Sequence, residues 1–196
     1  MKRFDRTSPP LWLDKKWEIW GMDWKNKYDK NRKANEFIWR KYKGFGYDDL
    51  IEKLGEMTQN HCSFCDAYPM FSRCKPAIEH FEPKTVNPLI AYKWDNLYIS
   101  CYNCNSSKGD NFTDELLKPD TNDYQFSKYF VFNNFTGELE PNPYSSDLDK
   151  QRAEFTINLY GLNKNGKPND RLEELEKINK ANINKYSYRF LSYLKN

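Results

Sequence analysis

Residues 62–65 read CSFC, residues 78–84 read IEHFEPK, and residues 94–109 read WDNLYISCYNCNSSKG. Two Cys-x-x-Cys pairs, Cys62/Cys65 and Cys101/Cys104, bracket the dipeptides Glu79-His80 and Asn96-Leu97, and the second pair runs directly into Asn105. Each Cys-x-x-Cys turn makes two thiolates converge, and two such turns supply the four soft ligands that tetrahedral Zn2+ prefers. Residues 66–100 separate the pairs, more than a simple zinc ribbon holds, so something is folded between them. A structural zinc on Cys62, Cys65, Cys101 and Cys104 would clamp the ends of that enclosed segment together. Cys74 stands outside both pairs, and His61, beside Cys62, reads as an ordinary loop histidine rather than a substitute ligand.

Working outward, the 196 residues suffice for one domain or for a small site-bearing unit with helical extensions, not for two large cores. The chain is expected to form a single domain, with a helical N-terminal extension at 1–60, a zinc-bracketed core at 61–118, and a hairpin with C-terminal helices at 119–196. Mean hydropathy is −0.99, yet 17% of residues are aromatic, so burial must rest on Phe, Tyr and Trp more than on aliphatics. Thirty-one Lys and Arg against 28 Asp and Glu leave a net charge of +3, compatible with nucleic acid without announcing it. There is no run of about 18 apolar residues for a membrane span, and Met1-Lys2-Arg3-Phe4-Asp5 is followed by no apolar signal core. A cytoplasmic location with no membrane partner is the expectation. In a reducing compartment, cysteines paired by a two-residue spacer favour metal thiolates over disulfides.

The aromatic spacing of Leu11–Lys43 predicts helices near 11–20 and 27–42, and Asp48 or Asp49 is placed to cap a third carrying Leu50, Ile51, Leu54 and Met57. Ala77–Phe81 and Trp94–Ser100 have strand composition, with Pro83, Asn87 and Pro88 marking the loop between them and a short helix opening at Asn105. Further on, 129–132 and 138–140 flank an Asn-Asn-Phe-Thr-Gly turn and predict a hairpin. Ser145 or Ser146 then caps a helix with Leu148, Phe155, Ile157 and Leu159, and Asn169 or Asp170 caps a last one that continues toward Leu194. The elements define an α+β chain.

Only two histidines occur, and His80 follows the carboxylate Glu79 at a predicted strand end. Together they offer a hard oxygen ligand and a base that titrates near neutrality. Asn105 follows Cys104 at once, and Lys108 lies one turn later on the same helical face. An ion held by Glu79 and Asn105, its shell completed by water, fits the oxygen preference of Mg2+ or Mn2+.

Glu79-His80-Phe81, Asn96-Leu97 and Cys104-Asn105-x-x-Lys108 resemble the HNH nucleases of the ββα-metal class, in the variant with a terminal Asn and a zinc-binding scaffold of four cysteines. The resemblance implies a ββα-metal core stabilised by the zinc knuckle and surrounded by N- and C-terminal helices. It makes His80 the general base for a hydrolytic water, and Glu79 and Asn105 the ligands of a catalytic Mg2+ or Mn2+. Asn96 would pin the interstrand loop, and Lys108 would stand near the phosphate. Glu at 79 and Asn at 105 depart from the commonest pattern, which has Asp and His, but both keep a metal ligand.

A closer likeness joins those phrases to Asn158-Leu159-Tyr160-Gly161-Leu162-Asn163: they look like the HNH endonucleases encoded beside retrons and in Septu anti-phage systems, the PtuB-like group. That implies a DNA substrate and an ABC-type ATPase partner. With a modest charge and one small active site, a double-strand break would need two sites acting together, so a dimer or larger hetero-complex is expected. The alternative from another class is a non-catalytic, zinc-stabilised nucleic-acid-binding or protein-docking module, which has no need of a base beside an oxygen ligand.

Overall fold

Trp17, Trp20, Trp24 and Tyr28 recur at helical spacing, and the chain obeys that stripe in a single stretch. A computed structural model, which describes residues 1–72 and 74–194, shows a short α1 (Leu11–Asp14) followed by α2 (Trp17–Asn31), whose buried face is Trp20, Gly21, Trp24 and Tyr28. The helix stops where Arg32 turns left-handed, with φ 55°. The helix expected over 27–42 is therefore corrected: its first residues belong to α2, and after a single 3-10 turn at Ala34–Glu36 the chain runs extended from Phe37. Gly21 explains how closely α2 lies on the next layer, since a Cβ there would sit 2.0 Å from the Leu89 carbonyl oxygen.

Helix α3 (Tyr47–Thr58) buries Leu50, Ile51 and Leu54. Its cap is Gly46, and Asp49 acts from inside the first turn by accepting the Gly46 N–H at 2.7 Å. The two central strands, β1 (Pro76–His80) and β2 (Leu97–Cys101), pair antiparallel with Glu79 opposite Tyr98 and His80 opposite Leu97. Trp94–Asn96 forms a 3-10 turn and not the start of the strand. The polar side chain of Asn96 bends the chain there by bonding across the loop, and the Trp94 indole N–H is held at 2.8 Å by the Thr7 carbonyl.

Strand β2 passes without a loop into α4 (Tyr102–Lys108), so this helix begins three residues before the expected Asn105 and carries both Cys104 and Asn105. Helices α3 and α4 both pack on the β1–β2 pair, which leaves β2 buried along its whole length. Beyond α5 (Phe126–Tyr129), the expected hairpin forms from β3 (Phe130–Phe132) and β4 (Leu139–Pro141), and Gly137 supplies the positive φ of its turn.

Ser146 caps α6 (Asp147–Leu159), its hydroxyl accepting the Asp149 N–H at 3.2 Å. The buried face of α6 is Ala153, Thr156 and Ile157, whereas Leu148 is exposed. Helix α7 (Lys167–Lys177) starts ahead of the expected cap, with Pro168 in its first turn, and ends well short of Leu194. The described chain beyond it has 3-10 turns at Lys180–Lys185 and Arg189–Tyr193, separated by a left-handed Tyr188. Contact with the first cysteine turn imposes this break: Asp66 accepts from the Arg189 N–H at 2.7 Å and from its Nε at 3.0 Å. The architecture is mixed α and β, with two small sheets among the described residues. No helix of the described residues is long and apolar enough to cross a membrane.

Candidate metal centre and adjoining carboxylate site

The Cys62–Cys65 turn closes through Asp66 N–H to the Cys62 carbonyl at 3.0 Å, and it is sewn to β2 by Ser63 N–H to the Ile99 carbonyl at 3.0 Å. Cys101 ends β2 and Cys104 lies one helical turn into α4, so the strand-to-helix junction brings the second pair to the first. The four Sγ atoms are buried and lie within 4.8 Å of one another. Cys65 Sγ and Cys101 Sγ are 3.7 Å apart, close to the ~3.8 Å edge of a tetrahedron with Zn–S bonds of ~2.3 Å. The Cys101 N–H also donates to Cys62 Sγ at 3.3 Å, the kind of contact that steadies a thiolate. This cluster can hold a structural zinc ion. His61 stands apart from it, with Nε2 facing the Tyr186 carbonyl at 3.0 Å and Nδ1 facing that of Gln59 at 2.8 Å.

Glu79 points from β1 toward α4 and spends both carboxylate oxygens there. Oε2 accepts from Asn105 Nδ2 and Oε1 from Lys108 Nζ, each at 2.6 Å, and the same ammonium reaches the His80 carbonyl at 3.0 Å. Asn105 and Lys108, three apart, share the face of α4 that meets β1. Lys108 is wholly buried and Glu79 nearly so. Burial pushes the Glu79 carboxyl up to about 7, against the opposing pull of the Lys108 charge and of its two hydrogen-bond donors.

Strand alternation sends His80 the other way. Its Nε2 lies 2.9 Å from the Ala91 carbonyl. A carbonyl only accepts, so Nε2 carries the proton and the neutral ring keeps its lone pair on Nδ1. Burial, reinforced by the positive charge of Lys84, lowers the His80 pKa to about 3, so the imidazole is neutral at physiological pH. The Trp39 ring lies nearly parallel to it, 9° off at a centroid distance of 5.2 Å, and Phe37 stands perpendicular at 5.2 Å.

Asn96 ties the intervening loop together. Its Oδ1 accepts the Glu82 N–H at 2.8 Å, and its Nδ2 donates to the Glu82 carbonyl at 2.9 Å and to that of Ile90 at 3.3 Å. The residues that hold Ala91 beside His80 are thereby joined at both ends of the loop.

Of the residues singled out by sequence, the four cysteines meet in one cluster and Glu79, Asn105 and Lys108 in another. The His80 imidazole is bonded to the Ala91 carbonyl and not to that second cluster. Phe37, Trp39 and the Ala91 carbonyl escaped notice. The one available signal was the period-two spacing of Phe37 and Trp39 around Ile38, which helical aromatics upstream obscure.

These observations define a class: an α+β chain in which a buried four-cysteine cluster able to hold a metal ion brings together a strand, strand and helix in sequence. Over 88 residues, 44% of this chain, the sequence is 30% identical to the Septu protein PtuB of Bacillus thuringiensis. The match spans about a third of that protein's length, 34%. No family model matches the chain.

Proposed function

We propose that the chain is a metal-dependent endonuclease of the HNH class that hydrolyses DNA phosphodiester bonds, working in anti-phage defence with an ABC-type ATPase partner. The observation that carries this is the convergence of Glu79 and Asn105, 2.6 Å apart across β1 and α4, next in sequence to a neutral imidazole whose Nδ1 lone pair is available as a base. Residues 61–118 form the catalytic core in this proposal, with 1–60 and 119–196 packed around it. The similarity to a Septu protein supports the defence role and the partner.

Glu79 and Asn105 would hold a divalent ion. Their donor set suits Mg2+ or Mn2+ in kind: a carboxylate, and an amide whose oxygen comes beside that carboxylate when the group turns over. The Lys108 ammonium, already seated on Glu79 and the His80 carbonyl, marks the same oxygens as attractive to positive charge. When bound, the ion would supply charge neutralisation at the phosphate. His80 Nδ1 would take the proton of a water whose oxygen forms the new P–O bond as one ester P–O bond breaks, and the leaving oxygen would depart as an alkoxide that takes a proton from solvent. Ala91 and the Asn96-braced loop keep the ring in its Nε2–H form throughout.

A second reading rests on one specific observation: both Glu79 oxygens are engaged by donors from α4, as in a purely structural lock. It makes the chain a zinc-stabilised nucleic-acid-binding or protein-docking module. Plasmid incubated with the protein and Mg2+ or Mn2+, with and without an ABC-type ATPase encoded beside it, separates the two. Nicking or linearisation that disappears in His80→Ala is expected. Equal cleavage by His80→Ala would remove the imidazole from the mechanism, and DNA binding without cleavage under every condition would favour the module.

A further inference from the structure

Building on the nuclease proposal, we infer that Trp39, backed by Phe37, is a positioning residue for the His80 imidazole, so that the segment following α2 completes a site whose other groups lie between the cysteine pairs or just after the second one. The Ala91 carbonyl holds one edge of the ring, but a single hydrogen bond leaves the ring able to pivot about the Nε2···O line. A flat face laid 9° from parallel at 5.2 Å opposes that pivot, and a second ring at right angles closes the remaining side.

The segment is built for this contact. Phe37 and Trp39 both turn inward while Ile38 between them is 62% exposed, the alternation of an extended chain. On a helix, residues two apart would diverge by about 200° and could not share the imidazole. The tether comes from the dipeptide that also orients the ring. Tyr92, next to Ala91, donates its hydroxyl to the Ile38 carbonyl and stacks on Phe37 at 5.0 Å. Trp24 of α2 packs against Phe37 from behind at 5.2 Å, and Tyr47 of α3 lies 5.7 Å from Trp39. Imidazole edge, imidazole face and strap are thus held from one short stretch of loop.

The test uses the full chain with its zinc. Trp39→Leu keeps apolar bulk without a flat face, Trp39→Phe restores a smaller face, and Ile38→Ala is the exposed control. Nuclear Overhauser contacts from the ring protons of the chain labelled at its two histidines, assigned with His80→Ala, report the orientation of the His80 ring without any cleavage assay. The expected result is one ring orientation against Phe37 in the wild type, Ile38→Ala and Trp39→Phe, and the averaged contacts of a pivoting ring in Trp39→Leu. Plasmid turnover should fall about 10- to 100-fold in Trp39→Leu with little change in the DNA concentration needed, and recover in Trp39→Phe.

Unchanged ring contacts with Phe37 in correctly folded, zinc-loaded Trp39→Leu overturn the inference. So does faster cleavage by that variant, which would make the strap a cover over the base. Absence of cleavage by the wild type would count against the nuclease proposal alone, because the spectra decide the ring's positioning on their own.

Discussion

Lys108 has no contact with solvent, and its burial is compensated by the Glu79 carboxylate 2.6 Å away together with the His80 carbonyl. Removing one member of such a pair strands the other. Lys108→Met should therefore lower stability by about 3–5 kcal/mol in urea unfolding. Combining it with Glu79→Gln should cost less than the sum of the two single changes, and strict additivity would mean the groups are not coupled. The deficit has a pH signature. Burial raises Glu79 from 4.5 to about 7, so the stability tied to this carboxyl is fully present below 4.5 and is lost as pH rises through about 7. Without Lys108 to favour the charged form, the Lys108→Met deficit should be largest at neutral pH and shrink toward about pH 5. Glu79, Asn105 and Lys108 were each legible in the sequence, because two lie one helical turn apart and the third precedes the histidine. That Asn105 and Lys108 would both donate to Glu79 was not, since the motif names donors and acceptors without saying which pairs desolvate together.

The element most sensitive to a small change is α2. On an exposed helix, Gly→Ala stabilises by about 1 kcal/mol through propensity. At Gly21 the sign should reverse, because the new methyl would meet the Leu89 carbonyl oxygen at 2.0 Å, an atom of the backbone that cannot swing aside. Gly21→Ala is expected to cost about 1–3 kcal/mol or more by urea unfolding, and a stabilised variant would show that α2 and the Pro88–Ile90 turn slide apart easily. Because that turn leads into Ala91 and Tyr92, the same substitution should loosen the support of His80. Helix α3, the two central strands and the β3–β4 hairpin were recognisable from apolar periodicity and turn residues. The extended run at Phe37–Trp39 was not: aromatics at mixed spacings satisfy a helix and a strand equally, and only burial against β1 selects one. The 3-10 turn at Trp94–Asn96 escaped for a related reason, since Trp94 is anchored by a distant carbonyl and not by a strand neighbour.

At the scale of the whole molecule, the cysteine cluster joins the turn before β1 to the junction of β2 and α4, and Arg189 straps the C-terminal segment onto that same turn through Asp66. Zinc binding in small thiolate sites contributes about 10–16 kcal/mol, as much as the entire stability of an ordinary domain at about 5–15 kcal/mol. A strong chelator, Cys62→Ser or Cys101→Ser should therefore abolish the cooperative near-ultraviolet unfolding transition and reduce bound zinc from about one per chain to near none. Zinc content unchanged in Cys62→Ser would remove the four-cysteine site. Local spacing was enough to announce this clamp, because a two-residue spacer constrains its own turn wherever the chain goes next. The same holds for the order of carboxylate, histidine and asparagine between the thiols. What closes over the histidine, and what ties the C-terminus to the first turn, came only with the folded chain. Trp39 meets His80, and Arg189 meets Asp66 across 123 positions, through the packing of segments whose separation no periodicity records. A repeat along the sequence specifies which side of an element is apolar, and the competition among buried surfaces specifies what covers it.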